Sequence, residues 1–174
     1  MPLTVFDEQN LPYDLEALRP QDVTIVLIAS RLAQINRYAG ALPHPFSDAA
    51  HSVLVSYLCP EDPLAGLLHD TAEAFTGDVI SPIKRRVGAY RLIEQGVHGQ
   101  LCALHGWPSE HSPHVKRADT RAWELECAYI KGRYPAGARI ADMGESRLAR
   151  ALCREFDWRF ARDVFLRRYR ALTA

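Results

Sequence analysis

The chain has 174 residues, 48% of them apolar and 24% charged, with Lys+Arg and Asp+Glu balanced at 21 each. That length fits one domain with a real core, and zero net charge argues against wide, nonspecific binding to extended nucleic acid, though not against a small anion in a local basic pocket. The opening MPLTVFDEQN lacks the basic-then-apolar pattern of a signal peptide, and the longest apolar stretch, residues 23–29, is far too short for a bilayer.

The four cysteines, Cys59, Cys102, Cys127 and Cys153, form no CxxC pair and read as free thiols of a cytoplasmic protein with no membrane partner. Residues 1–18 carry short apolar pieces around a polar Asp-Glu-Gln-Asn turn, which suits a small hairpin or extended arm. Residues 19–174 read as a helical domain. Pro20 and Asp22 start a first helix whose face is Ile25, Ile28, Leu32 and Ile35, with Asn36, Arg37 and Tyr38 at its end. Gly40, Pro43 and Pro45 make a loop, and Ser47 caps a second helix with His51, Leu54, Val55 and Leu58 on one face. Asp62-Pro63 reads as N-cap and first residue of a third. Ser81-Pro82 opens a long helix through Tyr90, Ile93, Val97, Leu101 and Leu104, closed by Gly106-Trp107-Pro108. Ser112-Pro113 opens the next, with Val115, Asp119, Ala122, Glu126 and Tyr129 on one stripe. Two more helices are predicted over 140–156 and 158–172, the last with an arginine-rich outer face read as solvated. Asp142 and Glu145 read as a surface acidic cluster, Asp142 standing in reserve as a ligand should Asp119 not serve. The fold class is therefore all-α, with six or seven helices.

Residues 64–78 read LAGLLHDTAEAFTGD. An apolar run through Leu64, Leu67 and Leu68 delivers His69 and Asp70 side by side, then Glu73 and Asp78. Charge beside a core is tolerated only when paired or bound to a cation. Neighbouring helical residues point about 100° apart, so His69 and Asp70 share an ion where the helix ends, or across their common edge. His51 and Asp119 are likewise polar residues on faces that otherwise read as core. Alone, His51 is more often a hydrogen-bonded core histidine, and Asp119 can pair with Lys116 or Arg121. Together, two nitrogen and two oxygen donors on three helices suit one divalent transition metal, Mn²⁺, Co²⁺, Fe²⁺ or Zn²⁺.

The order His51, His69-Asp70, Asp119 resembles the H…HD…D pattern of the HD-domain phosphohydrolases. It is most similar to the small subset that includes bacterial 5′-deoxynucleotidases and phage dATP triphosphohydrolases. Over residues 22–129, FSDAAHSVLVS resembles the first-histidine helix, LLHDTAEAFTGDVISPIKR the central motif and VKRAD the final-aspartate helix. The resemblance implies an HD-domain-like helical bundle that hydrolyses the phosphate ester or anhydride of a small deoxynucleotide, and a homo-oligomer. It implies His51, His69, Asp70 and Asp119 as metal ligands, and Glu73 as the carboxylate that orients or deprotonates the attacking water. Asp78 is then the second carboxylate, near the sugar. Arg37 is the phosphate-binding arginine, beside Tyr38, which stands where the deoxynucleotidases carry a tryptophan. Lys84 and Lys116 match lysines able to meet phosphates, and a triphosphate substrate brings Mg²⁺ with it. The chemistry agrees: a metal acidifies its bound water, a carboxylate one turn from His69 can take the proton, and a guanidinium is a forked, permanent donor to phosphate. Two alternatives stay open, a catalytically quiet nucleotide-binding HD protein and a di-iron HD oxygenase. The second needs further histidines after the motif. Glu73 stands where an HDxxH would place one, and His44, His98, His105, His111 and His114 read as surface or loop residues.

Overall fold

The computed structural model describes residues 3–6, 12–108, 112–154 and 157–174. Over these the chain is all-α with a short N-terminal hairpin, in which β1 (Thr4–Phe6) pairs antiparallel with β2 (Pro12–Asp14), Val5 opposite Tyr13. The polar turn expected at 7–10, Leu11, His111 and Phe156 lie outside the described residues. Nine α-helical segments follow among the described residues: α1 (Ile25–Gln34), α2 (Asp48–Leu58), α3 (Pro63–Leu68), α4 (Glu73–Thr76), α5 (Ser81–Lys84), α6 (Gly88–His105), α7 (Pro113–Ile130), α8 (Met143–Cys153) and α9 (Trp158–Thr173).

The centre is α2. Its sequence is small or apolar nearly all round, and every residue from Asp48 to Ser56 is buried. A helix without a polar face is stable only when enclosed, and α2 is packed by α1, α3, α7, α8 and α9. Phe46, Phe165, Leu54, Leu67 and Leu125 are the large side chains of that core, each almost wholly removed from water, a burial that stabilises by about 1.5–3 kcal/mol apiece. Gly66 lets α3 lie close: a Cβ there would stand 3.2 Å from both Cys59 Cβ and the Ser56 Cα.

The expected caps act as such. Ser47, Asp62 and Ser112 accept hydrogen bonds from the N–H groups of Ala50, Ala65 and Val115. Other boundaries move. Pro20–Asp22 is a separate 3₁₀ turn locked by an Arg19–Asp22 ion pair at 2.8 Å, and α1 starts after Thr24, whose hydroxyl accepts from Leu27 N–H. The helix stops at Gln34 rather than reaching Tyr38, because Ile35 and Asn36 turn extended and Asn36 bridges to Ser47. Ser81–Lys84 is a turn of its own, and α6 begins only at Gly88. On the arginine-rich α9, Arg168 is not a solvated residue: its Nε donates to Ser56 Oγ at 2.9 Å and its guanidinium stacks on Tyr57.

The acidic pair at 142 and 145 is structural. Asp142 caps α8, which starts at Met143 and not at 140, and Glu145 closes a capping box back to the Asp142 N–H. Glu145 also accepts from Arg121 on α7, at 2.7 Å and 3.2 Å, and from Arg139. Arg121 is thereby occupied and does not pair with Asp119. The Arg121 hydrogen bonds hold the Glu145 carboxyl below its usual range. A carboxyl depressed on folding contributes stability above its unfolded value of about 4.3, and that stability is lost as pH falls through the folded value. Glu145→Gln is therefore expected to cost about 1–2 kcal/mol at pH 7, and the gap to the native chain in thermal unfolding should narrow as pH falls below about 4.3.

Candidate metal centre

His51, His69 and Asp70 meet where α2, the end of α3 and α7 come together. One ligand atom from each lies within 4.8 Å of the others. His69 Nε2 is 3.0 Å from Asp70 Oδ2, His51 Nε2 is 3.6 Å from the same oxygen, and the two rings stand 5.3 Å apart. Asp119, half exposed on α7, is not one of this tight three. It reaches the group from the other side, its Oδ1 3.2 Å from His51 Nε2.

The local chain explains how adjacent residues converge. α3 ends at Leu68, and the next turn tightens, with Thr71 N–H bonding Leu68 O and Glu73 N–H bonding Asp70 O. The His69 ring donates through Nδ1 to the Gly66 carbonyl at 2.9 Å, which leaves Nε2 as the bare acceptor. His51 is set the same way from the opposite side. Its Nδ1 lies 2.5 Å from Glu126 Oε1, so its Nε2 also points into the group. Both Nε2 atoms are buried and lack a hydrogen-bond partner. Two bare imidazole nitrogens buried beside carboxylates are what a metal ion satisfies, so these residues fit one.

The electrostatics are those of a crowded cluster. Burial works to raise the Asp70 carboxyl, but His69, His51 and Arg37 hold it well below the carboxylate range. Burial and the Arg37 charge oppose protonation of His51, yet Glu126 and Asp119 carry it up to about 10 while no ion is bound, so an ion would take the place of the Nε2 proton. Burial pushes Glu73 up to about 9, Asp70 and Asp48 adding to it and Lys84 opposing. Glu73 Oε1 accepts from Lys84 at 2.7 Å, while its Oε2 is buried with no partner. Lys84 is shared with Glu94 of α6, also at 2.7 Å.

A cavity of about 710 Å³ opens directly over the group. His69, Asp70, Glu73 and Asp119 line it, together with the expected phosphate lysines Lys84 and Lys116 and with Arg91 and His98 of α6. His98, expected at the surface, thus faces the cavity, and His105 stacks on Trp107 while donating to the Val23 carbonyl. Its size suits a nucleotide-sized ligand.

Three other expected site residues lie away from the cavity wall. Arg37 sits among carboxylates, with Nη1 3.3 Å from Asp48 and 3.7 Å from Asp70, and Nε 3.5 Å from Glu126. Tyr38 turns its hydroxyl inward to donate to Glu126 Oε2 at 2.5 Å, with Lys131 Nζ over its ring. It holds this pose from a left-handed backbone, φ 59° at Tyr38 and 51° at Ala39, which costs non-glycine residues about 1–2 kcal/mol each. Asp78, half-buried after the Gly77 turn, adds its charge to those that raise Asp48, which burial chiefly lifts to about 7.

Two residues of the cluster, Asp48 and Glu126, were not singled out from the sequence. Both are fully buried. Glu126 carried a readable signal, since it falls two turns after Asp119 on the same apolar stripe. Asp48 carried none, because an acidic residue in a first helical turn is ordinary.

No family model matches the chain. It is 34% identical over 118 residues to an Escherichia coli (strain K12) protein named "Uncharacterized protein YfdR", a match that covers 67% of this chain and 65% of that one, a little under two thirds of the relative's length. It is 33% identical over 155 residues to "Uncharacterized protein RCAP_rcc00048" of Rhodobacter capsulatus, covering 80% of this chain and 79% of that one. Similarity of that extent, across about four-fifths of each sequence, means that the chain belongs to the family of the Rhodobacter capsulatus protein.

Proposed function

We propose that the protein is a metal-dependent phosphohydrolase of the HD type, acting on the phosphate ester or anhydride bond of a small deoxynucleotide. One observation carries the reading: two buried imidazole nitrogens with no hydrogen-bond partner converge with Asp70 and Asp119 beneath a cavity whose wall holds Glu73, one carboxylate oxygen of which has no hydrogen-bond partner. The H…HD…D resemblance supplies the substrate class. His51, His69, Asp70 and Asp119 would hold one divalent transition ion, which when bound acidifies water and polarises phosphoryl oxygens.

The chain's own residues do the rest. Glu73, held through one oxygen by Lys84, keeps the other free to take a proton from water approaching over the group. Lys84, Lys116 and Arg91 line the cavity where a phosphate chain would lie, and offset its charge. Arg37, enclosed by Asp48, Asp70 and Glu126, stands behind the group and not on the cavity wall. Four buried free thiols suit a reducing cytoplasm.

The test is release of phosphate, pyrophosphate or triphosphate from a panel of dNMPs and dNTPs with Mn²⁺ or Co²⁺. Glu73→Gln is expected to bind metal as the native chain does and to lower turnover by about 10²–10⁴-fold. Tight nucleotide binding without turnover under any divalent metal would replace this reading with that of a quiet nucleotide-binding protein, and two irons per chain would favour an oxygenase.

A further inference from the structure

His51 is held by more than its helix. Its Nδ1 meets Glu126 Oε1 at 2.5 Å, and the second oxygen of that carboxylate receives the Tyr38 hydroxyl at 2.5 Å. Glu126 is wholly buried, and the Arg37 Nε stands 3.5 Å from the oxygen that Tyr38 also reaches. Neither Glu126 nor Tyr38 lines the cavity. The pair therefore touches the imidazole from behind, on the side away from any substrate. The backbone that delivers Tyr38 is left-handed at two successive non-glycine residues, Tyr38 and Ala39, a conformation kept only where surrounding contacts impose it. Here the contacts that impose it are the Tyr38–Glu126 hydrogen bond and the Lys131 ammonium over the ring.

We propose that Glu126 and Tyr38 are the positioning pair of the metal centre: Glu126 keeps the proton of His51 on Nδ1, and Tyr38 locks the carboxylate that does so. This rests on the metal-centre reading above. A neutral imidazole protonated at Nδ1 presents only Nε2 to an ion, and a carboxylate behind it raises the basicity of that nitrogen. Without Tyr38, Glu126 would be free to rotate toward Arg37. Tyr38, expected beside the phosphate-binding arginine as a substrate contact, is instead part of the apparatus that aims a ligand.

Co²⁺ titration of the full chain, followed by calorimetry and by the visible spectrum of the bound ion, tests the pair. Glu126→Gln preserves the shape and the acceptor but removes the charge. It is expected to weaken Co²⁺ binding about 10–100-fold and to change the visible band. Tyr38→Phe, which removes one hydroxyl, is expected to weaken it about tenfold. A folded E126Q protein that binds Co²⁺ with native affinity and an unaltered band overturns the proposal, even where the native chain binds the ion. Should E126Q not fold, Y38F decides: weaker binding supports the pair and native affinity overturns it. A native chain that binds no Co²⁺ overturns both this proposal and the metal-centre reading, so the two failures are told apart by the native protein alone.

Discussion

On the proposed reading as a metal-dependent hydrolase, Asp70→Ala is expected to abolish metal binding and to lower phosphate release at least about a thousandfold, roughly 4 kcal/mol in barrier height. Asp70 is the one carboxylate of the tight three, with its Oδ2 facing both bare nitrogens, at 3.0 Å from His69 and 3.6 Å from His51. His69, His51 and Arg37 around it favour its ionised form against burial. Alanine leaves two imidazoles and the half-exposed Asp119, too little negative charge to retain a divalent ion against water. Metal analysis after dialysis and a phosphate-release assay read the two effects separately. A D70A protein that keeps one ion per chain and native turnover would refute the assignment. Because the side chain is also 3.7 Å from Arg37, Asp70→Asn is the control that preserves volume, and it should lose the metal as fully.

The second large effect concerns stability rather than turnover. Arg37→Ala is expected to lower the Tm of the metal-free protein by about 10 °C. Arg37 has only 14% of its side chain exposed and stands among Asp48, Asp70 and Glu126. Removing one partner of a buried ionic cluster costs about 3–5 kcal/mol, because the remaining charges are left uncompensated. For a chain of this size each kcal/mol shifts Tm by about 2–4 °C. Asp48, already lifted to about 7 by burial despite Arg37, will take up a proton when the guanidinium goes, and this keeps the loss toward the lower end. Arg37→Lys should recover little, since an ammonium cannot present a fork to several carboxylates. Were Arg37 chiefly a phosphate clamp, R37A would instead raise KM with an unchanged Tm. Calorimetry in the presence of a chelator distinguishes the outcomes.

Both expectations turn on residues whose neighbours come from distant parts of the chain. His51 and Asp119 could be found because each breaks an apolar stripe, a pattern visible within one helix. The end of α3 at Leu68 is likewise local, set by the ring of His69 taking the Gly66 carbonyl and by the tightened turn after it. Arg37 illustrates the contrary case. The family resemblance reads it as a phosphate ligand, but its partners at 48, 70 and 126 come from α2, the turn after α3 and α7, and only tertiary packing assembles them. A guanidinium enclosed by three carboxylates is drawn in behind the group, away from the cavity wall.

The sequence by itself determined the all-α class, the capping of α2, α3 and α7 at Ser47, Asp62 and Ser112, and the polar residues that interrupt the core faces. These follow from side-chain period and from hydrogen bonds spanning three or four residues, which act before any tertiary contact forms. Only the tertiary structure decided which nitrogen of His51 faces the site, that Glu126 and Tyr38 stand behind it, and that Asp119 approaches from outside the tight group. Those choices depend on the packing of α2 against α7 and on a left-handed turn at Tyr38 and Ala39. Buried charges choose their partners by the distances that folding imposes, and adjacency along the chain carries no such information.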